Sequence, residues 1–314
     1  MVRGRDLDAL GEQAFGQVAT DTSVFARITP EHKLRLVRAL QARGAIVAVS
    51  GDGTNDGPAL REAAVGVAMG QAGTDVAREA ADLVLADDNF ATVTTAVRGG
   101  RTLYANLRKA VRYYLAAKVA LVTSSLVAVL VHLPVPFEPV QIIVLELFMD
   151  LGASTTFVAE PLEEDVMAHP PRDPRRPFMD RPMQLGILAG GLSLAVAVVV
   201  PYLWAWQSGG DLVHAQTAAF AAWMLGHVVL AAHMRAEYQP LLRTGLLANW
   251  PFLIWAAAAI ALVALGLGAP LLQARLHLVP LAAPVWPVVL LSALLLPSWW
   301  EAWKWARRGK GLRP

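Results

Sequence analysis

Gly51-Asp52-Gly53-Thr54-Asn55-Asp56-Gly57-Pro58-Ala59-Leu60 is the stretch on which the reading of this chain turns. Ala45-Ile46-Val47-Ala48-Val49 precedes it as a short apolar run of buried-strand type. A helix is expected after it, from about Pro58 to Ala64, with proline at a tolerated first-turn position. Gly51 and Gly53 allow backbone to approach a ligand closely. Asp52 and Asp56, four residues apart around the turn, can converge on one hard cation, which takes oxygen ligands. Asn55 can hydrogen-bond a phosphate oxygen or a water. Lys33, at the start of the preceding helical pattern, supplies a compensating positive charge for a phosphoryl group. The plain alternative is an Asp/Gly turn with a surface lysine. The whole run together with the upstream lysine favours a phosphate and magnesium loop.

Outward from the loop, the first part of the chain reads as α/β. Pro30-Glu31-His32-Lys33 opens a helical pattern carried by Leu34, Leu36, Val37 and Leu40, and Gly44 ends it. Val65 to Met69 and Leu83 to Leu85 read as further strands, with a capped helix at Thr74-Asp75-Val76-Ala77-Arg78-Glu79 between them. Such alternation builds a parallel sheet with its site at the strand C-termini.

Composition changes near Arg112. Over 314 residues the chain is 55% hydrophobic, its mean hydropathy is +0.44, and the net charge is only +2. That is too apolar for a soluble domain of this size and gives no electrostatic support for nucleic-acid binding. The absence of cysteine excludes disulfides and thiolate metal sites. The opening Met1-Val2-Arg3-Gly4-Arg5-Asp6-Leu7-Asp8 is charged, without the apolar centre of a secretory signal, so insertion is expected from internal segments. Residues 111–133, 139–159, 185–206, 213–234, 250–268 and 284–303 are each long enough to cross a bilayer. With the α/β part in the cytoplasm, one set of connections carries Arg172, Arg175, Arg176, Arg181, Arg235 and Arg243, then the tail Lys304, Arg307, Arg308, Lys310 and Arg313; the other carries Arg275. That asymmetry satisfies the positive-inside rule with both termini cytoplasmic. Trp204, Trp206, Trp250, Trp255, Trp299, Trp300, Trp303 and Trp305 lie mostly near span ends, as interfacial anchors do.

Several stretches carry a resemblance: Val24-Phe25-Ala26-Arg27-Ile28-Thr29-Pro30-Glu31-His32-Lys33, the Gly51–Leu60 loop, Gly66-Val67-Ala68-Met69-Gly70, Ala81 to Phe90, and Gly100-Arg101-Thr102-Leu103-Tyr104-Ala105-Asn106. The chain resembles the C-terminal half of P-type cation-transporting ATPases, nearest the calcium and sodium/potassium pump branch. The resemblance implies that residues 1–105 are part of a haloacid-dehalogenase-like (Rossmann-type) phosphorylation domain, and 106–314 a six-helix transmembrane domain. It also implies that Asp52 binds Mg2+ with Asp56 in support, that Lys33 stabilises the transferring phosphoryl, and that Asn55 contacts phosphate or ATP. Thr54 and Gly57 stand where valine and alanine are usual in the family; neither change removes a charge. No Asp-Lys-Thr-Gly stretch occurs in the sequence. The phosphorylated aspartate, nucleotide domain, actuator domain and first four membrane helices are expected to precede Met1.

In the second span, Glu146 and Asp150 lie four apart and project from one helical face, while Lys118 sits in the first span. Intramembrane charges are expensive, so they pair or serve transport. The bland reading is a structural ion pair. The resemblance of Val140 to Asp150 to the pumps' sixth helix puts both carboxylates on ion-binding positions. It also puts Lys118 where calcium pumps carry an asparagine ligand, and Leu121 where they carry a glutamate. His227 falls near another ligand position, although a lone histidine in a bundle is more often packed and hydrogen-bonded.

The expected function is therefore ATP-driven cation transport across a plasma membrane, with bilayer and transported cation as partners and with no autonomous activity expected. The alternatives are a non-enzymatic or regulatory membrane subunit that complements a separate N-terminal half, and a membrane-tethered phosphatase, against which the missing nucleophile speaks.

Overall fold

The computed structural model describes residues 1–161, 166–168, 170–173, 175–209, 211–236, 245 and 247–308, with side chains as far as Trp299. Among the charges and anchors singled out above, Arg243, Lys310 and Arg313 lie outside the described residues. So do the side chains of Trp300, Trp303, Lys304, Trp305, Arg307 and Arg308. The chain divides into two compact units, Met1–Gly99 and Gly100–Pro314.

In the first unit, β1 (Val2–Arg3) and β2 (Phe25–Ala26) form a parallel pair, with α1 (Gly4–Asp8) and α2 (Glu12–Asp21) between them in sequence. α3 (Pro30–Ala42) starts at a reciprocal cap. His32 N–H donates to Thr29 Oγ1 and Thr29 N–H to His32 Nδ1, both at 3.2 Å, and Pro30 occupies the first turn. β3 (Ala48–Gly51), β4 (Val65–Met69) and β5 (Leu83–Leu85) make a parallel sheet in the order β3-β4-β5, with α4 (Gly57–Glu62) and α5 (Asp75–Ala80) in the connections. Leu60, Ala68 and Ala77 form its small core. Parallel sheets normally have both faces covered. Here Ala48, Ser50, Leu83 and Val84 stay exposed.

Two expected boundaries move. The strand expected over residues 45–49 is β3, which begins at Ala48, because Gly44 at φ 84° ends α3 and Ala45 N–H returns to Leu40 O at 3.2 Å. That amide closes the helix and cannot join the ladder. The helix expected from Pro58 to Ala64 is a 3-10 turn, Thr54–Asp56, leading into α4, which stops at Glu62 where Ala63 turns extended.

Among the described residues the regular structure of the second unit is helical. α6 (Ala91–Leu130) enters it at Gly100, so the expected domain boundary at 105/106 falls inside one continuous helix. Its end comes three residues before the expected 133, because His132 takes a left-handed φ of 58° and Leu133 N–H returns to Ala128 O at 2.8 Å. The second span is composite: α7 (Pro139–Val144), a π-helical segment Leu145–Leu151, α8 (Gly152–Thr156) and a 3-10 turn Phe157–Ala159. There follow α9 (Arg181–Gln207), α10 (Leu212–Met234), α11 (Trp250–Gly268), α12 (Pro270–Leu276) and α13 (Val285–Arg308).

Five of these helical runs, Ala91–Leu130, Pro139–Ala159, Arg181–Gln207, Leu212–Met234 and Trp250–Gly268, are long and apolar enough to cross a membrane. The sixth expected span coincides with α13, whose apolar stretch among the described residues, Val285–Trp299, is shorter. α10 is central: 78% of its most apolar stretch is buried, against 33–50% in the other four, and α9 and α13 pack along it. α6 and α9 touch backbone to backbone at Gly191, where a Cβ would come within 2.6 Å of Ala116 O. Apolar side chains gain little by leaving lipid for protein, so such close approach of small residues is what holds membrane helices together.

Candidate functional site

Two constellations stand out, one in each unit. In the first, Gly51 ends β3 and Asp52 follows at its C-terminal edge, exposed. Thr74 N–H donates to Asp52 O at 2.8 Å, tying the loop to the start of α5. Asp56 turns back and is 5% exposed; it accepts from Lys33 Nζ through Oδ1 and from Gly53 N–H through Oδ2 at 3.4 Å. The fold needs glycine at position 51, because a Cβ there would sit 2.5 Å from Asp56 Cβ. The structure thus brings Lys33 onto Asp56 and leaves Asp52 and Asn55 open to solvent.

The neighbouring loop is held by Asp88, whose carboxylate accepts from Gln71 N–H at 2.9 Å and Ala72 N–H at 2.7 Å. These two donors, Gln71 first, hold its carboxyl below the usual carboxylate range. Arg78 closes the same loop through Gly70 O at 3.0 Å and Gly73 O at 2.5 Å. An exposed carboxylate at a strand end, beside a buried aspartate paired with lysine, fits Mg2+, which takes one or two carboxylates and completes its shell with water and phosphate.

The second constellation lies among the apolar helices. Lys118 of α6 donates to both Glu146 Oε2 and Asp150 Oδ2, the latter at 2.8 Å, and its ammonium also lies 4.7 Å from the Tyr114 ring centre. Asp150 is 1% exposed. His227 of α10, fully buried, places Nε2 3.0 Å from Asp150 Oδ1, but off the line a hydrogen bond requires. Among the described residues both ring nitrogens of His227, Asp150 Oδ1 and Trp223 Nε1 have no hydrogen-bond partner. Trp223 and Tyr113 fix the imidazole between them, with ring centres 4.7 and 5.5 Å away. Buried polar atoms are nearly always satisfied. A carboxylate oxygen and an imidazole nitrogen facing each other without a shared hydrogen bond make a place for a proton or a small cation.

The sequence expectation of one helical face for Glu146 and Asp150 survives, but the helix there is π, with i→i+5 bonding. Two of its carbonyls are taken by other helices: Phe148 O accepts from Trp255 Nε1 at 3.0 Å and Met149 O from Tyr113 Oη at 3.4 Å. Trp255 is therefore a buried donor rather than the interfacial anchor its place near a span end suggests; it is 6% exposed. Lys118, which the sequence offered as one partner of a structural ion pair, bridges both carboxylates. Arg235, counted above as a loop charge, is 1% exposed and paired with Glu160 at 3.0 Å. Sequence reading passed over Glu160, Tyr113 and Trp223, and took Trp255 only for an anchor. Only an uncharged aromatic or a carboxylate at a span end marks them, and neither signal is distinctive.

Residues 134–306 match the family described as cation transporting ATPase, C-terminus. A calcium-transporting ATPase of Bacillus subtilis is 38% identical over 294 residues, covering 91% of this chain and 32% of that protein. A probable cation-transporting ATPase F of Mycobacterium tuberculosis is 39% identical over 267 residues, covering 83% and 29%. The human calcium-transporting ATPase type 2C member 1 is 32% identical over 254 residues, covering 80% and 27%. The chain spans about a third or less of the length of these relatives.

Proposed function

Since this chain belongs to the cation-transporting P-type ATPases and corresponds to their C-terminal region, we propose that it supplies the cation path and part of the phosphoryl site of a pump that couples ATP hydrolysis to cation transport. The observation that carries the reading is the group of Lys118, Glu146, Asp150 and His227, with Asp150 and His227 buried, inside helices long and apolar enough to span a bilayer. Such intramembrane charges are costly and mark ion pathways.

In this reading residues 1–105 belong to a haloacid-dehalogenase-like phosphorylation domain and 106–314 to a six-span membrane domain, α13 being the sixth. Asp52 holds Mg2+, which supplies charge neutralisation to the phosphoryl group when bound. Asp56, engaged by Lys33 and Gly53, orients the lysine rather than ligating the metal itself. Asn55 faces phosphate or ATP. The exposed strands of the β3-β4-β5 sheet favour completion by further pump structure, in the same polypeptide or in a separate N-terminal half. The arginine-rich connections support cytoplasmic termini, and the plasma membrane is the location proposed.

Transport into vesicles by the assembled pump tests this. Glu146→Gln and Asp150→Asn are expected to lower cation uptake, and Asp52→Ala to depress magnesium-dependent ATP turnover far more than Thr54→Val. Uptake unaffected by both carboxylate changes would refute the site. The chain expressed by itself is expected to show no hydroxylamine-sensitive label from radioactive ATP; such a label would place a phosphorylated carboxylate within these residues.

A further inference from the structure

Ten residues beyond Asp150, along unbroken helical turns, the second span ends on Glu160. Its carboxylate meets Arg235, at the end of α10: Nε donates to Oε1 at 3.2 Å and Oε2 at 3.0 Å, and Nη2 to Oε1 at 3.0 Å. Asn249, the N-cap of α11, donates Nδ2 to Glu160 Oε2 at 2.6 Å and to Thr156 O at 2.9 Å. Asn106 of α6 donates to Glu160 O at 2.8 Å. Three other helices thus grip one helix end, and every one of these side chains is at most 5% exposed.

We propose that Glu160 and Arg235 are positioning residues that lock the register of the segment bearing Glu146 and Asp150, an assignment that rests on reading those carboxylates as the transported-cation site. The need for a lock comes from the π segment. Its i→i+5 bonding is a rare, mostly single-turn departure from the α-helix, and its extra residue can pass into the α turns beside it. A one-residue slip turns everything beyond it by about 100° and shifts it by about 1.5 Å. That is enough to carry Asp150 away from Lys118 and His227. At the other end of the span Gln141 Nε2, fully buried, donates to Leu276 O at 2.9 Å. With both ends held, the extra residue stays between Leu145 and Leu151, where Trp255 and Tyr113 take the loosened carbonyls.

Charge is not required to hold a helix end in an apolar bundle; well-packed apolar side chains often do as well or better without the desolvation cost. What Arg235 adds is direction. Its fork fixes both carboxylate oxygens at once and thereby the rotation of the helix end.

The test uses the full pump, with calcium, manganese and sodium tried as probe cations and the one that most stimulates ATP hydrolysis carried forward. Glu160→Asp keeps the charge but shortens the reach by one methylene. Glu160→Met with Arg235→Met removes both charges while filling the space. In each, the half-saturating cation concentration is expected to rise about fivefold or more with the maximal rate changed less than about twofold, the split expected when ground-state binding is lost. Amide exchange in residues 145–151 is expected to quicken in parallel. Glu160→Asp that folds with half-saturation within twofold of the parent overturns the proposal, and this variant decides alone if the double replacement does not fold. Glu146→Gln and Asp150→Asn run beside them: if these leave half-saturation unchanged, the cation-site reading fails. If they shift it and Glu160→Asp does not, only the positioning role fails.

Discussion

Replacing Lys118 by methionine keeps the length of the side chain and removes the one cation that bridges Glu146 and Asp150. Deleting one partner of a buried ion pair costs about 3–5 kcal/mol. The Lys118 and Glu146 side chains are 26% and 34% exposed, so the pair is not fully enclosed by protein and the lower end, about 3 kcal/mol, applies. The parent cluster carries one net negative charge and the variant two. A bound cation restores in the variant the compensation that lysine gives the parent. At about 1.4 kcal/mol per decade, that favours cation binding by roughly a hundredfold. Lys118→Met is therefore expected to be less stable than the parent without cation, to recover when calcium is added, and to bind isotopic calcium about a hundredfold more tightly. Melting in detergent and equilibrium binding read both effects. Unchanged melting and unchanged binding in the variant would refute the compensation argument. Two tightly bound calcium ions per parent molecule would refute it equally, since Leu121 offers no oxygen to a second shell and calcium wants about six to eight.

Gly51→Ala is expected to displace Asp56 from Lys33, because the new methyl would lie 2.5 Å from Asp56 Cβ. Magnesium-dependent turnover of the assembled pump should fall, and parental turnover would show that the close approach at this turn is dispensable. Asp88 gives a pH signature. Its carboxyl is held below the usual range by the Gln71 and Ala72 amides, so its stabilising contribution is complete above the unfolded value and lost as pH falls through the lower folded one. Asp88→Asn tolerates the left-handed φ of 52° and should flatten the acid limb of the first unit's unfolding curve; an unaltered limb would remove Asp88 from the account.

The sequence by itself determined what depends on near neighbours. Strand, glycine turn and helix around Asp52 were legible because glycine placement and short apolar runs act over a few residues. Five of the six expected spans were legible because hydropathy over about 20 residues decides whether a helix can leave water. Glu146 and Asp150 were legible as a facing pair because a four-residue spacing returns to one side of a helix. Tertiary structure decided the partners. Lys118 reaches carboxylates 28 and 32 residues away, Glu160 reaches Arg235 across 75, and Trp255 supports the Phe148 carbonyl across 107. Nothing in the local pattern distinguishes π from α bonding over Leu145–Leu151, because the apolar spacing suits both; side chains from α6 and α11 donate to the displaced carbonyls and settle it. In an apolar interior each buried charge and carbonyl must find a specific donor or acceptor. Which one it finds is fixed only when the helices pack.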